Sequence, residues 1–533
     1  MAKKSRSVTE SNPDFPSVPE LICIAAPGVK LRRAGPAVTS VSGFNTKSLN
    51  SLLKAAKAVM SPIFGSEPRV AASRAAAAVA ASTSLPELSG YYSILVAPEK
   101  MEKLAADLLN DPAVQAAYVK PSPTPPVWLD IEPEAAAAAP DGEQAPTPSF
   151  IARQLYLEAA PGGIDARYAW TRAGGKGQGV GVIDIEGAWR FTHEDLLQNQ
   201  GGVIGGTQNT DLGWRNHGTA VVGVFGSDEN ALGVTGIAPL ANSRAISIFG
   251  GMGSAAAVRN AADALNAGDI ILIELHAPGP DANGTGQDGF IAMEWWPDDF
   301  AAIVYAVSRG VIVVEAAGNG ARNLDAPVFN NRPTGFPSTW RNPFNPTNPQ
   351  SGAIMIGAGA PPSGTHGRDH GPDRSRLGFS NYGARVDVQG WGREVTTVGY
   401  GDLQGGANED LWYTDQFSGT SSASPVVVGA VACMQGVLRA AGRPLLTPAS
   451  ARNILLTTGS PQTDAPGRPA TQRIGTRPDL RQAILRLLPK IKEKLEKAQQ
   501  KEIKKASSGR TRRSNASRSN ALKRPRTSDL RVR

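Results

Sequence analysis

Cysteine is almost missing from this 533-residue chain: there are two, Cys23 and Cys433, far apart and in apolar surroundings. That excludes a disulfide scaffold and a thiolate metal cage, and the two are expected to be reduced core thiols. Histidine is scarce too, with five in all, so imidazole chemistry has few places to sit. Charged residues make up 19% and aromatics 6%. No apolar run approaches the ~20 residues of a membrane span. The opening MAKKSRSVTESNPDFPSVPE lacks the apolar stretch of a secretory signal. The expectation is a protein with no membrane segment, cytoplasmic by default.

What is present is an ordinary core. Hydrophobic residues reach 41%, and the length allows two or three domains of ~150 residues. Gly 58 and Pro 41, without a period, indicate many turns rather than a fibre. The net charge of +8 comes from one end. Residues 490–533 hold 16 Lys+Arg against 4 Asp+Glu, a net +12 that leaves the rest at −4. This tail is read as largely disordered and solubilising, with nucleic-acid binding a less favoured, tail-mediated alternative.

The chain divides by composition. Residues 1–20 read as a disordered leader. LICIAAPGVKLR (21–32), SGYYSILVAP (89–98) and AVQAAYVKP (113–121) read as strands, with helical stretches at 46–82 and 99–110. Residues 21–121 are thus expected to form a small α+β domain. The Pro/Ala-rich acidic stretch 122–150 reads as a linker. Over residues 151–489 the pattern is βαβ: GVGVIDI, DIILIEL, GVIVVEAAG and AIMIGAGA are short Val/Ile-rich runs separated by helical segments. Such runs fit parallel strands covered on both faces, hence a doubly wound α/β domain at 151–489.

Acyl transfer by a serine needs a base beside the hydroxyl, a group to orient that base, and donors for the oxyanion. Four residues fall at strand ends or helix starts of this domain. Asp184 ends the run GVGVID, His217 lies in NHGTAVVGV, Asn319 follows VIVVEAAG, and Ser421 opens GTSSASPVVVGAVA. Each has a plainer reading as a cap or turn residue; their conjunction in one domain is what argues for a site.

The four motifs together resemble the subtilisin-type (subtilase) serine peptidases. VIDIEG (182–187), NHGTAVVG (216–223), AAGNG (316–320) and SGTSSASP (418–425) are similar to the family's Asp, His, oxyanion Asn and Ser motifs, in the family's order. HEDL (193–196), GIAP (236–239), FSNYG (379–383) and RPDLRQAI (477–484) add to the match. The resemblance implies a subtilisin-like mostly parallel sheet with helices on both faces. It also implies a serine endopeptidase with an Asp184/His217/Ser421 triad and Asn319 at the oxyanion. Measured back from His193, Glu186 would hold the Asp position, so it is the fallback orienter; Asp184 is preferred because it ends the strand.

The resemblance further implies a substrate-binding surface at Glu274, Leu275, His276, Ala316, Ala317 and Gly318. Glu274 and His276 depart from the family's Ser-Leu-Gly-Gly strand. The N-terminal unit resembles a subtilase propeptide, which implies a self-processing zymogen inhibited by its own domain, acting on polypeptides as a monomer. A rival reading is a catalytically impaired binding scaffold. The chemistry requires no cofactor. A structural calcium is implied at Gln154, Asp195, Asn230, Leu232 and Val234, in competition with a plain salt bridge and turn.

Overall fold

A computed structural model describes residues 18–35, 37–65, 88–127 and 146–489. The leader up to residue 17, the distal part of the Ala-rich helical stretch, the linker from 128 to 145 and the basic tail lie outside the described residues.

Two sheets carry the structure. The N-terminal one is antiparallel and built from β1 (Glu20–Ala25), β4 (Val59–Pro62), β5 (Tyr91–Leu95) and β6 (Val114–Lys120), in the order β4-β5-β1-β6. A hairpin of β2 (Leu31–Ala34) and β3 (Ala37–Ser40) stands beside them. β4 departs from the sequence reading, which has helix there. The helix α1 (Lys47–Ala56) ends ahead of β4, where Lys57 takes the left-handed conformation. Leu49 and Leu53 of α1, with Met101, Leu104 and Leu108 of α2 (Met101–Leu108), pack on the sheet around Cys23. That thiol is free and buried, and burial pushes its pKa up to about 12.

The second sheet has seven strands, all parallel. They are β7 (Gly181–Glu186), β8 (Gln200–Gly205), β9 (Asn242–Ser247), β10 (Ile270–Ile273), β13 (Ile312–Ala316), β14 (Ile354–Gly359) and β15 (Val388–Trp391). Their order across the sheet is β15-β14-β13-β10-β7-β9-β8. β10, β13 and β14 are buried along their whole length, as strands covered on both faces must be. Two further strands, β11 (His276–Pro278) and β12 (Phe290–Ala292), form a separate antiparallel pair just past β10.

The helices between strands are α3 (Ala166–Trp170), α4 (Leu212–Gly226), α5 (Ser254–Ala264), α6 (Pro297–Ser308) and α7 (Thr420–Ala440). α7 is long and apolar enough to cross a membrane, but all of that stretch is buried against the sheet. Strand order reverses at β7: β9 and then the edge strand β8 lie on one side, and β10, β13, β14 and β15 follow outward on the other. Ligands of open α/β sheets sit beyond the C-terminal strand ends at such a reversal. The motif residues cluster there.

Candidate active site

Alternation along β7 puts Asp184 and Glu186 on one face, with Glu186 at the strand's last position. α4 begins at Leu212, capped by Asp211, whose carboxylate accepts from the Trp214 N–H. His217 therefore sits well inside this helix rather than at its start. Its Nδ1 is hydrogen-bonded to a carboxylate oxygen of Glu186. The expectation that Asp184 would hold this imidazole is corrected by the geometry. Asp184 lies two residues back, ~7 Å along the strand, and its carboxylate accepts instead from the Trp189 indole N–H at 2.7 Å.

Both partners of the Glu186–His217 bond are fully buried. Burial, together with the neighbouring Asp184 and Glu274 carboxylates, pushes Glu186 well above the usual carboxylate range. Burial pushes His217 well below the ordinary imidazole value, helped by His276. Asp184 rises to about 7, again through burial.

Ser421 is the second residue of α7. Gly419 precedes the helix at φ 108°, ψ −177°, a conformation open to glycine. This turn leaves the first N–H groups of the helix unpaired by their own chain, and the helix dipole adds positive potential there. The Ser421 hydroxyl and His217 Nε2 are both buried and close no hydrogen bond. Pro425 is the sixth residue of α7, so the bond that an N–H there would give to the Ser421 carbonyl is lost.

Asn319 stands in the loop after β13, beyond Gly318 at φ 93°. Its amide oxygen accepts from the Thr420 N–H and hydroxyl, both at 3.0 Å, which aims its NH₂ outward. That NH₂ donates to the Pro126 carbonyl at 2.6 Å, and the Ser421 N–H points at the same oxygen at 3.4 Å. The Asn319 amide expected at the oxyanion and the Ser421 N–H thus converge on one peptide carbonyl.

Of the expected substrate-binding residues, His276 pairs with Thr124 as in an antiparallel strand, its N–H and C=O both bonded at 3.0 and 2.9 Å. Its Nδ1 accepts from the Asn319 N–H at 3.3 Å, and burial pushes it down to about 3, so the ring is neutral. Leu275, Ala316 and Ala317 are buried. The Ala317 and Gly318 carbonyls accept from Asn381 and are spent inside the domain. Glu274 turns inward: both its oxygens are buried and without a hydrogen bond, although the Ser421 and Ser424 hydroxyls stand near enough to temper the rise that burial and Asp184 impose.

Two contributors carry no sequence signal of their own. Gln287 accepts from the Asn319 amide at 3.0 Å and donates to the Pro125 carbonyl at 3.0 Å. Trp189 absorbs Asp184. Neither belongs to a motif; only the return of its loop to the strand ends brings it in.

The residues expected to hold calcium are brought together, where they hydrogen-bond to one another and to the neighbouring backbone. Asp195 accepts from the Val234 N–H at 2.7 Å and the Asn230 amide at 2.8 Å. Asn230 accepts from the Leu232 N–H, and Gln154 from the Thr235 N–H, each at 2.9 Å. Leu232 and Val234 enter the cluster through their N–H groups. The cluster is a closed hydrogen-bonded turn, and among the described residues no group of three or more His, Cys, Asp or Glu could hold a metal.

Comparison with known proteins identifies the family. The sequence profile of the subtilase family matches residues 175–483. Subtilisin Savinase of Lederbergia lenta is 28% identical over 268 residues, 49% of this chain and 77% of that protein. An alkaline protease of Shouchella clausii is also 28% identical over 268 residues, covering 49% of this chain and 54% of its own length. Among solved structures, fervidolysin from Fervidobacterium pennivorans, a keratinolytic enzyme related to subtilisin, aligns over 89% of this chain and 62% of its own at 19% identity and a TM-score of 0.49. With a family profile spanning more than half its length over the parallel sheet that carries Glu186, His217, Asn319 and Ser421, the chain belongs to the subtilase family of serine endopeptidases.

Proposed function

We propose that this subtilase works through an acyl-enzyme on Ser421, with Glu186 in the place of the family's aspartate, and that it is made as a self-processing zymogen. The observation that carries the reading is the peptide carbonyl of Pro126, held by Asn319 Nδ2 and facing the Ser421 N–H. In the reaction, His217 takes the Ser421 proton as the hydroxyl oxygen adds to the carbonyl carbon, and the oxyanion moves onto those two donors. Losing one such donor costs about 3 kcal/mol of transition-state stabilisation, a magnitude measured in subtilisin itself. His217 then gives the proton to the leaving amine, and water repeats the cycle on the ester. Glu186 holds the Nδ1–H tautomer and stabilises the imidazolium.

The N-terminal domain is read as an inhibitor because its chain runs on from β6 into this cleft, where residues 121–127 are all buried. The substrates are polypeptides and the working unit a monomer. A scaffold without catalysis is the opposing reading. Reaction with a fluorophosphonate decides between them: wild-type protein should be labelled on Ser421, whereas Ser421→Ala should take no label and remain full length. Absence of label on a folded wild-type chain would establish the scaffold.

A further inference from the structure

From the way residues 121–127 lie in the cleft, we infer that the enzyme cuts its own chain between Pro126 and Val127 and that its cleft selects proline as the residue before the cut. This rests on the serine-endopeptidase reading above and adds the bond and the substrate class to it.

Three contacts place the bond. Thr124 forms an antiparallel bridge with His276, with both backbone hydrogen bonds made. The Pro126 carbonyl meets the Asn319 amide and the Ser421 N–H. Val127, on the other side of the bond, forms a bridge with Gly419 immediately before the nucleophile's helix. The chain is thus gripped on both sides of a single peptide bond whose carbonyl already points at the donors. The two prolines fall where this grip asks for no N–H: Thr124 supplies the strand bonds, and the Pro125 carbonyl is taken by Gln287.

The wall beside Asn319 is built from backbone. β12 lies between β11 and the loop 318–320. It pairs with β11 at His276–Ala292, and Gly289 donates to the Gly320 carbonyl. A Cβ on Gly318 would come within 3.0 Å of the Phe290 carbonyl. The backbone of β12 thus packs directly against the loop that carries Asn319, with the Phe290 ring 4.8 Å from the His276 ring. The residue seated at the donors is itself a proline, whose compact ring asks little of the cleft and whose restricted φ reduces the ordering needed on binding.

The chemical balance is that of any acyl transfer. The Ser421 oxygen bonds to the Pro126 carbonyl carbon, the bond to the Val127 nitrogen breaks, and that nitrogen leaves as an amine with the proton from His217. Water then releases Pro126 as a carboxylate.

The test uses the full-length chain. Mass spectrometry of the freshly processed protein should find an N-terminal fragment ending at Pro126. The mature enzyme should hydrolyse acyl-Thr-Pro-Pro-p-nitroanilide with kcat/KM about tenfold or more above acyl-Thr-Pro-Phe-p-nitroanilide, and Pro126→Phe should slow processing by a similar factor. A labelled, active enzyme cut at another bond, or one that turns over the Phe peptide as well as the Pro peptide, overturns this inference and leaves the endopeptidase reading standing. A folded wild type that takes no fluorophosphonate and stays full length, like Ser421→Ala, removes both.

Discussion

Three buried carboxylates stand behind the nucleophile and its base: Asp184, Glu186 and Glu274, all fully buried. Only Glu186 meets His217. An orienter that loses its charge leaves the imidazole in the wrong tautomer, a loss of ~10⁴ in kcat in the serine-protease case. Glu186→Gln should therefore lose activity on that order. Asp184→Asn, which keeps an acceptor for Trp189, should stay within a few-fold of wild type. The same pair carries a pH signature. Activity requires Glu186 ionised and His217 neutral, so it falls as pH falls. The Asp184 charge raises the proton affinity of Glu186, and removing it lets Glu186 stay ionised to lower pH. The acid limb of kcat/KM should then move downward in Asp184→Asn. A limb that moves upward, or a large loss of kcat, would return the orienting role to Asp184.

At the scale of elements, the end of β6 is pinned by one buried lysine. Lys120 has its ammonium at 2.6 Å from Asp298, 3.2 Å from Asp299, 3.3 Å from Glu20 and 3.0 Å from the Ser254 hydroxyl. Tyr118 donates to Asp298 at 2.9 Å. Asp298 and Asp299 lie in the first turn of α6 and Ser254 at the start of α5, where negative charge and its partners suit a helix N-terminus. Removing one partner of a buried pair costs about 3–5 kcal/mol because the other charge stays buried alone. A separate 1–126 fragment carrying Lys120→Met should inhibit mature enzyme ~10²–10³-fold more weakly than the wild-type fragment. Equal inhibition constants for the two fragments would show that β6 does not dock through this lysine.

For the molecule as a whole, the N-terminal sheet and the peptidase sheet belong to one compact unit, and the bond in the cleft belongs to the same chain as the serine that faces it. A reactant already positioned reacts as a unimolecular step. The half-time of processing should therefore be unchanged over a hundredfold dilution, followed by gel densitometry from a denatured start. A half-time that lengthens in proportion to dilution would mean that one molecule cuts another.

Much of this was legible in the sequence, because its signals are local. Val/Ile runs dictate covered parallel strands through side-chain burial, Gly419 sets a turn that few other residues adopt, and the motifs around His217, Asn319 and Ser421 name the chemistry by residue type. The order of those motifs was enough for the family. Which carboxylate meets the histidine was not, because Asp184 and Glu186 share one face of β7 and differ by two residues of strand. That choice is made by how far α4 lies beyond the strand end and by where Trp189 returns. Nor could the sequence place Pro126 at the oxyanion donors, put Gln287 beside Asn319, or turn the calcium-like set at Asp195 into a closed turn. These are meetings of segments tens to hundreds of residues apart, set by the crossing of strands and helices that local pattern does not encode.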